Sequence, residues 1–445
     1  MEALSVIIES VDYEGKGIAR VDGKIVFVDG AIAGEKILIE VKKRRSKFDT
    51  ASIVEIIEAS PYRVTPQCPN YEMCGGCSLQ HIDFDEQIRI KQKVLVDNLK
   101  HIGNVAAVNI LPPVVGTPWN YRHRARLSVR YVAKKGGSLV GFREKNAPYV
   151  VDMTSCEILP ADISSLITPL RDLVSSLSIK DRLPQIEIAV GDLINVLVLR
   201  NMDGLTLEDE QLVKSFVDEY SGKLLLPLQI WLQPKGPDSC YKFYPLDVAE
   251  LSYTINKYNI TMPYYPSEFT QVNPLINNRM IELAIKLLDP QENDVIADFF
   301  CGIGNFTLPI ANLAKAVVGI EGAEQLVLRA KQNAEYNALG HKTSYQVCNL
   351  FTVNDKWLQE LGRFDKWLID PPRTGAIELL ESITPKIAPK RIVYVSCNPA
   401  TLARDANILV DKHGYTLVDA GIMNMFPHTS HVESIAVFEL TNTIN

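Results

Sequence analysis

Asp294-Val-Ile-Ala-Asp298-Phe-Phe300-Cys301-Gly302-Ile-Gly304-Asn305-Phe306 decides the fold. The apolar run up to Phe300 reads as a buried strand, the glycines as a tight turn, and Thr307 to Ala316 as the helix that follows. A strand, a glycine turn and a helix form one end of a nucleotide-type site, because backbone N–H groups there can come close to a ligand. A dinucleotide fingerprint needs a third glycine for close helix–strand packing, and Thr307 stands at that place, which argues against pyrophosphate. The next strand, Ala316-Val-Val-Gly-Ile-Glu321, ends in an acid nineteen residues after Gly302. A carboxylate there can accept both ribose hydroxyls. A glycine turn and an acid without a pyrophosphate site is the pattern of S-adenosylmethionine (SAM) enzymes.

Toward the C-terminus three more strands follow in the same order. Ser344 to Leu350 contains Asn349, an amide that could read an adenine edge. Phe364 to Asp370 runs into Pro371-Pro372-Arg373, a rigid polar turn. N-methylating enzymes close a similar turn with an aromatic residue, so Arg373 makes an exocyclic amine a poor substrate. Arg391 to Val395 ends in Ser396-Cys397-Asn398-Pro399, with a helix expected after Pro399. Ligands sit outside the carboxyl ends of strands in open α/β sheets, so the Cys397 thiol faces a pocket. A thiol near a helix N-terminus can be a nucleophile, although most free cysteines are inert packing. Gly414 to Leu440 reads as a closing antiparallel pair, with Glu433 either an edge carboxylate in solvent or a general base beside the pocket. Upstream, Glu268-Phe-Thr-Gln271-Val-Asn273 precedes a helix from Pro274 to Leu288.

The N-terminal part is different in kind. Five short alternating runs between Ser5 and Ile57, separated by Gly and Asp turns, predict a small β-barrel of OB type. Lys42 to Lys47 reads as a basic loop after its fourth strand, and Pro61 to Pro66 as a linker. Then Cys68-Pro-Asn-Tyr-Glu-Met-Cys74-Gly-Gly-Cys77 crowds three thiols at a spacing that can wrap one soft ion or cluster. A fourth ligand is needed, and Cys156 is the best candidate, ahead of Cys240, Cys301 and Cys348. Softness alone allows zinc or iron–sulfur. The spacing is not that of radical SAM enzymes, so a cluster here would be structural or RNA-contacting.

Phe84 to Lys100 has helical periodicity and reads as a surface helix. Between residues 121 and 145 eight basic residues face a lone acid, Glu144, and Arg122, Arg124 and Arg126 would share one face of a strand. Net charge is −7 over 445 residues, so a local basic stripe opposes the overall sign, as expected for phosphate contact. Residues 181–255 alternate strands and a helix without a motif. The first residues lack a signal-peptide pattern and no apolar run approaches membrane-spanning length, so a cytoplasmic chain without membrane contact is expected.

Two resemblances add to this reading. Asp12 to Arg20, Val26 to Ala31 and Gly34-Glu35 resemble a TRAM domain, an RNA-binding barrel appended to RNA-modifying enzymes. Cys301 to Leu308, Asp370 to Gly375, Val395 to Pro399 and His428 to Glu433 resemble the RNA uracil-5-methyltransferase family, and the TRAM-like part with the four cysteines resembles its 23S rRNA branch. The tRNA branch lacks both features. Pro372 stands where many members have Ala.

The resemblance implies a TRAM-like barrel over 1–61, a central α+β domain over 62–265, and a Rossmann-like SAM-dependent methyltransferase domain over 266–445. It implies Cys397 as nucleophile and Glu433 as general base. Gln271, Phe300, Asn305, Glu321, Asn349 and Asp370 would form the SAM site. Cys68, Cys74, Cys77 and Cys156 would hold a [4Fe–4S] cluster rather than zinc. Phe269 would lie against a flipped nucleotide, with Arg122, Arg124 and Arg126 on RNA. The partner would be 23S rRNA and the chain a monomer. Three rivals stand beside it: cytosine-5 methylation, which in RNA enzymes uses a second Cys in the turn after the fourth strand; the same chemistry on another uridine; and a non-catalytic RNA-binding or maturation factor.

Overall fold

The computed structural model describes residues 3–12 and 14–441. Tyr13 of the Asp12–Gly17 turn, the first two residues and the last four lie outside the described residues, and with them the outer ends of the first and third expected modules.

The N-terminal sheet has six strands, in the order Leu4–Ile7, Lys36–Arg44, Phe48–Glu58, Lys24–Asp29, Gly17–Val21, Ser10–Val11. Alternation drives it: Val26, Val28, Ile37, Ile39 and Ala51 turn inward and are buried. The basic stretch is only in part a loop: Arg45 to Lys47 form the turn between two strands. Lys42 to Arg44 continue the strand, because Lys43 pairs with Thr50 and Arg44 with Asp49 in the ladder. The Asp49 carboxylate accepts from Lys24 Nζ and from the Arg45 N–H, which anchors the hairpin end. The linker is pinned too: Arg63 donates to both oxygens of the fully buried Glu35 and to the Gly30 carbonyl.

A second six-stranded sheet runs Tyr241–Tyr244, Leu228–Leu232, Asn195–Arg200, Gln185–Val190, Arg124–Val132, Gly137–Gly141. Helices Ile167–Ser176 and Leu207–Ser221 bury Leu170, Leu173, Val213 and Phe216 against it. Leu207–Ser221 starts at a Thr206–Asp209 capping box, which satisfies backbone donors at its N-terminus.

The C-terminal sheet has eight strands. Its order is Thr343–Val347, Ala316–Glu321, Val295–Phe299, Lys366–Ile369, Arg391–Ser396, Glu433–Leu440, Tyr415–Met423, Asn109–Ile110. The first five are mutually parallel, and Glu433–Leu440 runs antiparallel to both neighbours. These strands read as continuous apolar runs because helices cover both faces. Trp367, Tyr394 and Phe299 are fully buried in its core, each contributing roughly 1.5–3 kcal/mol. Tyr394 also donates to Asp405 (2.6 Å), locking the Cys397 strand to the helix Pro399–Asn407 that follows it.

The last strand of this sheet, Asn109–Ile110, comes from the N-terminal half of the chain, and so does a covering helix. Helix Phe84–His101 is not a surface helix: Ile88, Lys91, Leu95 and Leu99 are buried, and it packs on helix Pro399–Asn407 and strand Tyr415–Met423. Its mixed charge hid this, because one of the buried residues is a lysine.

Candidate active site

Five parallel strands end along one edge, and each hands a side chain to it, four of them polar and one aromatic. Phe300 follows the central strand, Glu321 closes the second, Asn349 lies two residues past the third, Asp370 follows the fourth and Cys397 the fifth. All five line one cavity of about 540 Å³. Gln271, Asn305, Phe269 and Glu433 line it as well, so every residue expected at the cofactor and the reacting base converges there. The backbone at its centre is strained: Phe300 has φ +63°, a region L-residues rarely occupy. Gly302 (φ +55°) and Gly304 (φ +97°) complete the turn without a Cβ penalty.

One half of the cavity fits an adenosyl group. Glu321 is oriented by the N–H groups of Gly302 (3.1 Å) and Ala323 (3.0 Å), and a carboxylate has lone pairs left for two ribose hydroxyls. Asn349 is fixed by the Phe351 N–H at 3.1 Å. Phe300 and Phe351, ring centres 5.7 Å apart, add aromatic wall beside Leu326 and Ile303. Asn305 sits in a buried polar knot. Its Oδ1 accepts from Tyr253 (2.8 Å) and Asn277 (3.2 Å), and its Nδ2 returns a bond to Asn277 Oδ1 (3.0 Å).

The other half is electrostatically divided. Cys397 is half-buried, and burial together with the Glu433 and Asp370 charges pushes its thiol up to about 11, while Arg373 pulls it down. Burial pushes Glu433 up to about 7, with Arg373 and Lys91 opposing. Burial and the Glu433 charge push Asp370 up to about 8. Two carboxylates and a thiol with displaced ionisation beside one cation in a cleft mark a reaction centre on physical grounds. Arg373, Phe351, Phe426 and His431 line the cavity and were not among the residues expected to act in the site. Arg373 had a signal, being the cation that ends the Asp-Pro-Pro turn, but its neighbours came from loops without periodicity. Phe269 stands at the mouth, 72% exposed.

The other expected sites gather less completely. Burial is the leading cause that pushes the Cys74, Cys77 and Cys156 thiols up; Cys68 adds to the shift of Cys74, Cys74 and Cys68 to that of Cys77, and Cys77 and Cys74 to that of Cys156. The Gly76 N–H donates to Cys74 Sγ at 3.4 Å. Among the described residues, however, no group of three or more His, Cys, Asp or Glu is arranged to hold a metal ion. The arginines diverge. Arg124 spends its donors on Thr270 (3.2 Å) and the Pro266 carbonyl (2.6 Å), clamping the segment that carries Phe269. Arg126 is exposed and paired with Glu187, and Arg122 precedes the strand, with a buried Nε that has no partner. Among the described residues no helix is long and apolar enough to cross a membrane.

Five parallel strands closed by an antiparallel pair, with a carboxylate after the second strand and a half-buried thiol after the fifth at their carboxyl edge, define a SAM-dependent methyltransferase. Comparison with known proteins narrows this. Residues 245–440 match the family model tRNA (Uracil-5-)-methyltransferase, and residues 2–54 match the TRAM domain. The chain is 54% identical over 98% of its length to the 23S rRNA (uracil(1939)-C(5))-methyltransferase RlmD of Chromobacterium violaceum, covering 84% of that protein. It is 52% identical over 98% of its length to the protein of the same name from Nitrosospira multiformis, covering 98% of it. The crystal structure of Pyrococcus abyssi tRNA (uracil-54, C5)-methyltransferase in complex with S-adenosyl-L-homocysteine shares the fold. It has a TM-score of 0.72 at 23% identity, over 98% of this chain and 100% of that one. The chain belongs to the RlmD family of RNA uracil-5-methyltransferases.

Proposed function

We propose that this protein methylates carbon 5 of a uridine in 23S rRNA, with SAM as the methyl donor and a covalent bond between Cys397 and carbon 6 of the uracil. The observation that carries the reading is the convergence of Cys397 and Glu433 in the same cavity as Glu321 and Asn349. Carbon 5 of uracil is too weak a nucleophile to take a methyl group from a sulfonium. Addition of the Cys397 thiolate at carbon 6 turns the ring into an enolate, whose electron pair lies on carbon 5. SAM, held by Gln271, Phe300, Asn305, Glu321, Asn349 and Asp370, supplies an electrophilic methyl group when bound. Glu433 then removes the proton from carbon 5. The electron pair of that C–H bond closes the 5,6 double bond, and the bond from carbon 6 to sulfur breaks to release the thiolate. Phe269, at the mouth, would stack on a base that has left its helix, a step that costs a few kcal/mol and favours loops or single strands.

The resting thiol is neutral, so its proton passes to solvent water, which reaches the half-buried sulfur, before the thiolate attacks. Arg373 is placed to favour that, because its charge acts on both Cys397 and Glu433. The same chemistry on another RNA uridine is the second reading, and the names of the relatives favour 23S rRNA.

The modules would run over 1–61, 62–265 and 266–445, with helix Phe84–His101 and strand Asn109–Ile110 of the middle stretch built into the catalytic sheet, in a monomeric cytoplasmic enzyme. The barrel and exposed basic residues such as Arg126 and Arg130 would hold RNA. Cys68, Cys74, Cys77 and Cys156 would hold a [4Fe–4S] cluster. Four thiols from two chain segments, with glycines between the last two of the first, are the donor set a cubane needs. Mapping 5-methyluridine in 23S rRNA and tRNA from cells lacking this protein tests the reading. Loss of a single 23S rRNA site is expected, and an intact rRNA pattern with loss in tRNA would move the substrate.

A further inference from the structure

Helix Phe84–His101 carries a charge into the core. Lys91 is 2% exposed, and its Nζ donates to Asn424 Oδ1 and to the Phe426 carbonyl, both at 2.8 Å. A buried ammonium costs several kcal/mol unless partners compensate it, and two neutral oxygens do so only in part: burial pushes Lys91 down to about 7 while the Glu433 charge holds it up, so the ammonium is present on the acid side of neutrality, where Glu433 needs it. The site explains the placement. Asn424 directly follows Met423, which is the cross-strand partner of Glu433, and Phe426 lines the reaction cavity. The same turn is gripped further along. Gln87, one helical turn before Lys91, accepts from the His428 N–H (3.0 Å), and Trp119 stacks on the His428 ring at 3.9 Å.

We propose that Lys91 is a positioning residue for Glu433: its ammonium fixes the Asn424–Phe426 turn beside that carboxylate and supplies, through space, positive charge that keeps it ionised. This deepens the reading of Glu433 as the base and rests on it. Glu433 is 6% exposed, so charge acts on it with little screening. The charged groups acting on it are Arg373 and Lys91 as cations, with Asp370 and Cys397 sharing its surroundings. On the lysine's other sides stand His428 and His431. Burial and neighbouring cations hold both below the usual histidine range, His428 at about 4, so they remain neutral and cannot replace the lysine's charge. Removing that charge makes the carboxylate harder to ionise, so less base is present at a given pH and the acid side of the rate profile moves up.

The test uses the full-length protein and a 23S rRNA fragment carrying tritium at carbon 5 of its uridines, with single-turnover tritium release followed across neutral pH. Lys91→Met and Lys91→Gln should shift the acid limb up by about one unit, roughly tenfold slower release on that side. Lys91→Gln keeps a donor for the turn without the charge, and it decides the matter if Lys91→Met does not fold. Lys91→Arg should keep the limb in place. A limb that stays put in Lys91→Gln, or that moves equally in Lys91→Arg, overturns the proposal. Glu433→Gln separates the two ideas. If it accumulates no covalent adduct, the base reading itself fails. If it does and the Lys91→Gln limb is unmoved, only the role of Lys91 fails.

Discussion

Cys397 and Glu433 flank the last pair of an antiparallel ladder: Ser396 pairs with Ser434, Cys397 directly follows Ser396, and Glu433 directly precedes Ser434. The register therefore brings a thiol and a carboxylate to the same end of two neighbouring strands. In an α/β sheet most neighbouring strands are parallel and deliver their ends to the same edge. Here the antiparallel strand delivers its beginning to that edge, which is how a residue 36 positions later in the chain reaches the Cys397 site.

Replacing Cys397 by Ala removes the atom that bonds to carbon 6 and leaves the adenosyl half of the cavity untouched. We expect 5-methyluridine formation to fall below detection while S-adenosylhomocysteine affinity, measured by calorimetry, stays within a few fold. Retained activity would sink the covalent mechanism.

Glu433→Gln keeps shape and removes the base. The adduct can form and take the methyl group, but the carbon 5 proton has no acceptor, so a protein–RNA species resistant to denaturant should accumulate. In the unaltered protein burial holds Glu433 near 7. The base works when deprotonated, so proton release should decline as pH falls through about 7. The Cys397 thiol, held near 11, ionises more as pH rises, which adds to the same trend. A rate that rises on acidification would contradict both assignments.

The catalytic sheet was legible because its strands are apolar runs ending in glycine or polar turns. Glu321 and Asp370 could be found by counting to the strand ends. Three things were not legible. Strand Asn109–Ile110 is two residues long and joins the sheet through tertiary contact alone, so it has no periodicity to read. The basic stretch at Lys42 looked like a loop because charge was taken as solvent exposure, whereas an edge of a ladder tolerates charge on its outer face. Lys91 hid the burial of its helix for the same reason: a lysine inside a helical pattern reads as surface until the partner that holds it is seen. The apolar positions Ile88, Leu95 and Leu99 did carry the signal.

Tyr253 reaches Asn305 from a hairpin outside the main sheet, Ser252–Ile255 with Ile260–Pro263. Tyr253→Phe deletes one bond to Asn305 Oδ1 and leaves the Asn277 bonds. A single such bond contributes about 0.5–1.5 kcal/mol, so S-adenosylhomocysteine affinity should weaken by roughly 2- to 12-fold, with the thermal midpoint little changed. An unchanged affinity would mean that Asn305 does not depend on this contact for its orientation.

The cysteine group is tested by its content. Protein purified without oxygen should contain about four iron and four inorganic sulfide per chain, the stoichiometry of one cubane. Changing Cys156 to Ser should lower the iron content as sharply as changing Cys74, because the fourth thiol closes the coordination from a separate segment of the chain. Zinc in place of iron in the anaerobic sample would refute the cluster. The consequence reaches the active site through bonds that are already present: the Ser78 and Leu79 N–H groups, directly after Cys77, donate to the His428 carbonyl at 2.8 and 2.9 Å. Loss of the fourth thiol should therefore loosen the His428 turn and depress methylation even where S-adenosylhomocysteine still binds. Normal turnover in an iron-free Cys156→Ser protein would show that the turn is held by Lys91, Gln87, Trp119 and Tyr121 without the cluster.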